Sequence, residues 1–102
     1  MLTSKQRAQL RSMANSFDTI LLIGKGGVTE TIIRQADDAL TCRELIKCGI
    51  LETCPTSVRE TADLVAQETG ADVVQVIGSK FILYRRNPEE PKIVLVGRAT
   101  KR

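Results

Sequence analysis

The sequence of 102 residues contains no histidine and no tryptophan, and only two phenylalanines and one tyrosine. Without histidine the chain lacks the commonest general base, the imidazole ligand of zinc sites and every Ser-His or Cys-His nucleophile pair. The few aromatic rings offer few platforms for stacking bases, which disfavours recognition of single strands by stacking. We therefore expect no enzyme active site.

Cysteine and apolar runs are also sparse. The three cysteines, Cys42, Cys48 and Cys54, lie six residues apart and form no C-x-x-C pair, unlike a disulfide framework or a zinc cluster. They are typical of free thiols in a reducing cytosol. No apolar run exceeds four residues, far short of the about 18 of a membrane span, and the first ten residues lack the apolar stretch of a signal peptide. We expect a cytoplasmic protein that needs no membrane, metal or cofactor.

The charge is divided unevenly along the chain, although the net charge is only +3. Residues 1–27 hold four basic and one acidic side chain, residues 28–77 four and nine, and residues 78–102 seven and two. If the two basic ends meet in the fold, they create a positive field suited to phosphate. The alternative is that these charges are scattered over a solvated surface.

Apolar periodicity and capping signals predict seven elements. They are a helix from Thr3 to about residue 15, a strand at Thr19–Ile23, a helix after Thr29, a strand at Leu45–Leu51, a helix at Ser57–Thr69, and strands at Val73–Ile77 and Phe81–Tyr84. This α-β-α-β-α-β-β order predicts one α/β domain, a mixed four-stranded sheet with helices packed on it. We place the domain at residues 1–88 and a basic tail at 89–102, for which a mobile chain and an edge strand at Ile93–Val96 both stay open.

The most informative motif is Gly24-Lys25-Gly26-Gly27, between a predicted strand and a predicted helix. Glycines let backbone N–H groups approach a ligand, and a helix N-terminus favours an anion. The spacing fails the G-x-x-x-x-G-K-[ST] pattern of a nucleotide-binding P-loop, and Thr29 replaces the last glycine of a dinucleotide fingerprint. The G-x-x-G pattern favours a loop that clamps a nucleic-acid backbone, with a plain tight turn as the alternative.

Lys25, at the tip of this loop, is the leading candidate for a phosphate contact. Arg7 and Arg11 are four residues apart and share one face of the first helix. The remaining candidates are Lys5, Arg34 and Lys47, and Lys80 with one of Arg85 and Arg86 could extend the basic patch. Together with the scarcity of rings, this pattern favours recognition of the shape and phosphates of structured RNA.

Four stretches of the chain carry a family resemblance. They are Leu2-Thr3-x-Lys5-Gln6 with Leu10-Arg11, Ile23 to Thr29, Arg43 to Lys47, and Val76 to Gly78 with Leu83 to Asn87. In register over about residues 1–88, they resemble the CRM-domain family in its free-standing bacterial, YhbY-type form. Cys48-Gly49 departs from the valine-rich second strand expected of that family.

The resemblance implies a fold similar to the C-terminal domain of translation initiation factor three. It also implies that Gly24, Lys25, Gly26 and Gly27 contact RNA with the basic face of the first helix beside them, and that the RNA is ribosomal, in precursors of the large subunit. We therefore expect a monomeric RNA-binding assembly factor that does not bind DNA. A small phosphate- or nucleotide-binding protein remains an alternative. So does a protein–protein adaptor that uses the acidic face carrying Asp37, Asp38 and Asp63.

Overall fold

The computed structural model describes residues 2–95. Its elements are α1 (Ser4–Ala14), β1 (Leu21–Ile23), α2 (Glu30–Arg43), β2 (Leu45–Ile50), α3 (Val58–Thr69), β3 (Asp72–Ile77) and β4 (Lys80–Tyr84). The predicted order of elements and the α/β class are confirmed. No helix within residues 2–95 has the length and apolar character needed to cross a membrane.

Side-chain caps set where the helices begin. Thr3 and Gln6 form a capping box at α1, in which the Gln6 N–H donates to Thr3 Oγ1 over 3.1 Å and the Thr3 N–H donates to Gln6 Oε1 over 3.0 Å. Ser57 and Glu60 form the same arrangement at α3. These bonds satisfy N–H groups that a helix leaves without a partner in its first turn.

The sheet has the strand order β1-β2-β4-β3. Strands β1 and β2 are parallel, with Leu21 opposite Cys48, whereas β4 is antiparallel to both of its neighbours. The parallel pair places the ends of β1 and β2, and hence the loops that follow them, at the same end of the sheet. The start of β4 joins them there, because Lys80 lies opposite Gly49.

Both faces of the sheet are covered. Helices α2 and α3 pack on one face over a cluster that includes Ile23, Ile46 and Phe81. Helix α1 packs on the other face over a second buried cluster, which consists of Leu2, Leu10, Ala14, Leu45, Val74, Ile82, Tyr84 and Leu95. The strand residues of this second cluster are Leu45 at the start of β2, Val74 of β3, and Ile82 and Tyr84 of β4. Because none comes from β1, the end of β2 or the start of β4, α1 covers only one half of its face.

Residues 87–95 follow the domain surface without joining the sheet. Glu44, between α2 and β2, holds this segment: its fully buried carboxylate accepts the N–H groups of Asn87, Lys92 and Ile93 at 2.6, 2.7 and 2.8 Å. The segment also buries Leu95. The rest of the predicted basic tail, residues 96–102, lies outside the described residues.

Candidate nucleic-acid interface

The glycine loop is a tight turn that leaves β1 and enters α2. The Gly27 N–H donates to the Gly24 carbonyl over 2.9 Å, and Gly27 has φ +69°, a conformation that favours glycine. A Cβ on Gly27 would lie 3.2 Å from Pro55 Cγ, and one on Gly24 would lie 3.3 Å from Leu51 Cδ1. These two glycines therefore let the loop pack against the segment that follows β2.

Lys25 and Gly26 form the exposed tip of the loop. The nearest neighbour of a Cβ on Gly26 would be Thr29 Cγ2, at 4.0 Å. Gly24 and Gly27 anchor the two ends of the turn against the protein, so Lys25 and Gly26 between them present a cation and an open stretch of backbone to solvent. This arrangement suits a phosphate group better than an apolar ligand.

The N-terminus of α2 adds less positive potential than the sequence pattern suggests. The Thr29 hydroxyl already accepts the Ile32 N–H over 3.2 Å, and Glu30 places a carboxylate in the first turn. Arg34 lies 3.7 Å from that carboxylate, as an exposed pair of the kind that contributes little to stability. Lys25 is therefore the main source of positive charge at the tip of the turn.

The segment after β2 supports the loop through a small polar cluster. The Thr56 and Thr61 hydroxyl oxygens are 2.6 Å apart, and the Thr61 hydroxyl donates to the Ser57 carbonyl over 2.7 Å. Cys54 Sγ lies 3.6 Å from Thr56 Oγ1. Burial raises the pKa of the Cys54 thiol, but its polar contacts with Thr56 and Thr61 outweigh this effect and lower the pKa below its ordinary value.

An open strip of sheet lies between the glycine loop and α1. Because neighbouring residues of a strand face opposite sides, Leu22, Gly49, Lys80 and Ile77 all lie on the α1 face, beyond the half that α1 covers. Leu22 and Ile77 are 49% and 57% exposed. A Cβ on Gly49 would lie 3.0 Å from Lys80 Cδ, so the glycine that departs from the family pattern leaves room for the Lys80 side chain.

The basic residues of α1 have different environments. Lys5 and Arg11 are exposed, whereas Arg7 is half-buried and its guanidinium donates to the Val73 carbonyl of β3. Part of the Arg7 hydrogen-bonding capacity is therefore used to hold α1 on the sheet. The expectation that this helix lies directly beside the glycine loop is not met, because the open strip separates the two.

Lys47 faces a different region from the loop. It lies on β2 towards the half of the sheet that α1 covers, is half-buried, and its Nζ is 3.4 Å from the Phe17 carbonyl. The structure therefore groups Lys25 and Lys80 at one end of the sheet, with Arg34 on the helix that starts there. It groups Lys5, Arg7, Arg11 and Lys47 at the other half.

Arg85 and Arg86 also separate, as strand alternation predicts. Arg85 donates to the Asp37 carboxylate, to the Thr41 hydroxyl over 2.8 Å and to the Thr69 carbonyl over 2.8 Å. It therefore joins the ends of α2, α3 and β4, and its charge is neutralised by Asp37. Arg86 is exposed.

Two features were missed by the sequence reasoning. The first is Glu44, which no sequence pattern singled out as a binding residue, yet it binds the C-terminal segment. Burial raises its pKa, but the N–H groups of Asn87, Lys92 and Ile93 and the charge of Arg86 outweigh this and lower it. The second feature is a concave pocket of about 500 Å³ near Phe17. For Glu44, the only signal in the sequence was a charged residue directly before an apolar strand. For the pocket, it was Phe17, a phenylalanine outside the apolar periodicity.

No group of three or more cysteine, aspartate or glutamate side chains within residues 2–95 is arranged to hold a metal ion. The three cysteines are free thiols. Cys48 is buried on β2, and burial raises its pKa to about 12.

Comparison with known proteins gives consistent matches over almost the whole chain. The model of the CRS1 / YhbY (CRM) domain matches residues 2–85. The Bacillus subtilis protein named "Probable RNA-binding protein YqeI" is 38% identical over 93% of this chain and 99% of the relative. The Pseudomonas aeruginosa protein named "Probable RNA-binding protein PA4753" is 30% identical over 89% of this chain and 88% of the relative.

A solved structure is similar as well. The solution structure of the hypothetical protein SAV1595 from Staphylococcus aureus superposes with a TM-score of 0.78 at 44% sequence identity, covering 93% of this chain and 99% of that one. The arrangement of three helices and a four-stranded sheet is therefore shared with a protein of experimentally determined structure.

Proposed function

The chain belongs to the CRS1 / YhbY (CRM) domain family, and from this premise we propose that it clamps the phosphate backbone of structured ribosomal RNA. The clamp is the loop Gly24–Gly27, with Lys25 as its main cation. The RNA is part of a large-subunit precursor, so the protein is a ribosome assembly factor that acts in the cytoplasm as a monomer. Relatives named as RNA-binding proteins support the choice of RNA over other phosphate ligands.

The single observation that carries this proposal is the construction of the turn. Gly27 and Gly24 are packed against Pro55 and Leu51, while Lys25 and Gly26 are exposed. A turn that is held in place by packing on its inner side presents the exposed backbone of Lys25 and Gly26 and one cation, and it loses little conformational freedom on binding. Such a surface recognises phosphate and carries no information about base sequence.

The remaining cations extend the contact across one face of the sheet. Lys80 lies on the open strip next to the loop, and Lys5 and Arg11 are exposed on α1 beyond it. An RNA helix laid over this face would meet positive charge at both ends of the strip. Arg34 on α2 and Arg7 and Lys47 on the other half of the sheet are secondary contacts, since each already has a partner in the protein.

Binding of the purified protein to fragments of large-subunit ribosomal RNA, measured by fluorescence anisotropy over a salt series, tests the proposal. Lys25→Glu should weaken binding roughly ten- to 100-fold at low salt, as expected for loss of a hydrogen bond to a charged group. Lys25→Gln should lower the slope of log K against log salt by about 1. The matched control is Arg59→Glu, the same charge change at an exposed residue of α3.

Equal loss in Lys25→Glu and Arg59→Glu would mean that only the net charge matters, which contradicts a clamp at the loop. Wild-type affinity in a folded Lys25→Glu variant would contradict it as well. Mononucleotides that compete with the RNA for the loop would favour the nucleotide-binding alternative. Sedimentation of the tagged protein with large-subunit precursors, and not with mature subunits, is the expected result for an assembly factor, and light scattering should give the mass of a monomer.

A further inference from the structure

The pocket near Phe17 lies at the end of β1 opposite to the glycine loop. Its volume is about 500 Å³, within the roughly 300–1,000 Å³ of ordinary ligand sites. The segment between α1 and β1, the end of α2 and the C-terminal segment surround it, and its walls include Phe17, Ile20, Cys42, Arg43, Lys47 and Lys92. The start of β2 also contributes to the lining, so four separately positioned parts of the chain form one concavity.

The pocket exposes apolar surface that the core does not use. Phe17 is 37% exposed and Ile20 is 39% exposed, whereas Phe81 and Tyr84, the other two aromatic residues of the chain, are buried. Phe17 is thus the one aromatic side chain of the protein that a ligand can reach.

Three cations surround this apolar surface: Arg43, Lys47 and Lys92. Lys92 Nζ donates to the Cys42 carbonyl over 2.8 Å and Lys47 Nζ is 3.4 Å from the Phe17 carbonyl. An ammonium group has three donors, so each lysine keeps further N–H groups for a ligand.

The nearby negative groups do not cancel these cations. Asp18 is the acidic residue that lines the pocket. The carboxylate of Glu44, which directly follows α2, is buried and saturated by three backbone N–H groups. The carbonyls at the end of α2 are occupied too, since Leu40 accepts the Glu44 N–H and Cys42 accepts Lys92 Nζ. An exposed aromatic and aliphatic wall beside an excess of positive charge complements a base joined to a phosphate.

We propose that this pocket holds one unstacked nucleotide of the bound RNA, with its base against Phe17 and Ile20 and its phosphate near Arg43 and Lys92. A base inside a duplex is not accessible to such a pocket, whereas a bulged or loop nucleotide is. The inference rests on the proposed RNA-binding function and deepens it, because a second contact at the far end of β1 selects RNAs with an unpaired nucleotide beside a helix. One accessible ring provides for one base.

The first test needs no RNA. Amide NMR spectra of the full chain are recorded during titration with adenosine 5′-monophosphate and, separately, with inorganic phosphate. We expect saturable shifts at Phe17, Arg43 and Lys47 with the nucleotide and much smaller ones with phosphate. Phe17→Ala should abolish these shifts, Phe17→Tyr should keep them, and Arg59→Glu should leave them unchanged. Arg43→Glu should reduce them, and its spectrum independently reports whether the fold is intact.

The second test uses a ribosomal RNA fragment with a bulged nucleotide and the same fragment with that position paired. Phe17→Ala should weaken binding to the bulged fragment about 5- to 100-fold, the range expected for loss of one base stack, and should not affect the paired one. Equal shifts with phosphate alone, no shifts with the nucleotide, or equal loss on both fragments would each overturn the pocket proposal. If the wild-type protein binds neither fragment but still shows the nucleotide shifts, the proposed RNA-binding function is overturned, whereas binding of a nucleotide in the pocket is not.

Discussion

Replacing Glu44 with glutamine should destabilise the protein strongly, although the two side chains have the same shape. In the wild type, one carboxylate oxygen accepts the Lys92 and Ile93 N–H groups and the other accepts the Asn87 N–H. Glutamine has one oxygen and one NH₂ group. If its oxygen keeps Lys92 and Ile93, its NH₂ meets the Asn87 N–H, donor against donor.

The size of the effect follows from these three bonds. Hydrogen bonds to a charged group contribute about 1.5–3 kcal/mol and neutral ones about 0.5–1.5 kcal/mol, so the two bonds that remain lose about 1 kcal/mol each. The Asn87 N–H left facing a donor costs a further ~1–3 kcal/mol. Local release of residues 87–95 into water limits the total, because hydrated N–H groups carry no such penalty. We therefore expect a loss of about 2–4 kcal/mol in the free energy of unfolding.

Urea and thermal unfolding followed by circular dichroism measure this loss. For a domain of this size the expected decrease in Tm is roughly 10–20 °C. Glu89→Gln is the matched control, since Glu89 is exposed and lies in the same segment; its effect should stay within about 0.5 kcal/mol. Hydrogen exchange at Lys92 and Ile93 should accelerate in Glu44→Gln more than exchange in the core strands. A loss below about 1 kcal/mol, or an equal loss in Glu89→Gln, would refute the reasoning.

Three further predictions concern acid, the glycine loop and the cysteines. The pKa of Glu44 is lower in the folded state than its ordinary value of 4.5, so the ionised carboxylate contributes fully to stability above pH 4.5, and this contribution disappears as the pH falls through the folded pKa. When the free energy of unfolding is measured against pH, its decrease below pH 4.5 should therefore be less steep in Glu44→Gln than in the wild type. Gly27→Ala should lower the free energy of unfolding, measured in urea, by about 1–3 kcal/mol, because φ is +69° and Pro55 Cγ is 3.2 Å from the new Cβ. Gly26→Ala should leave it nearly unchanged, because the nearest atom to the new Cβ is Thr29 Cγ2 at 4.0 Å. Iodoacetamide labelling followed by mass spectrometry should modify Cys42 and Cys54 first and Cys48 only on unfolding, because Cys48 is fully buried and its pKa is raised to about 12; early labelling of Cys48 would contradict the buried assignment.

The fold was predictable because local signals agree with the tertiary structure. The capping boxes at Thr3 and Ser57 mark helix starts in the sequence and form the predicted hydrogen bonds. Gly70 adopts φ +74° after α3, as expected of a glycine that ends a helix. The attachment of residues 87–95 was not predictable, since it depends on a contact between Glu44 and Ile93, 49 positions apart, that leaves no local pattern.

The site was predictable in part. The turn at Gly24–Gly27 is visible as a motif, but the role of each cation depends on its surroundings. Arg7 and Arg85 are indistinguishable from Lys25 in a charge count, yet the first donates to Val73 and the second to Asp37, whereas Lys25 is exposed. Periodicity could place Arg7 on a helix face, but it could not show that the same face lies against β3.

The parallel pairing of β1 and β2 explains why a loop with three glycines can remain well defined. Parallel strands bring the loops after Ile23 and Ile50 to the same end of the sheet, and there Gly24 and Gly27 pack against Leu51 and Pro55. In an antiparallel pair the second loop would lie at the opposite end, and a glycine turn without support would have to lose its freedom on binding, at about 1–2 kcal/mol per residue. The topology thus provides in advance the ordering that the proposed backbone clamp requires, and the three glycines beside Lys25 keep the turn accessible to a phosphate without making it loose.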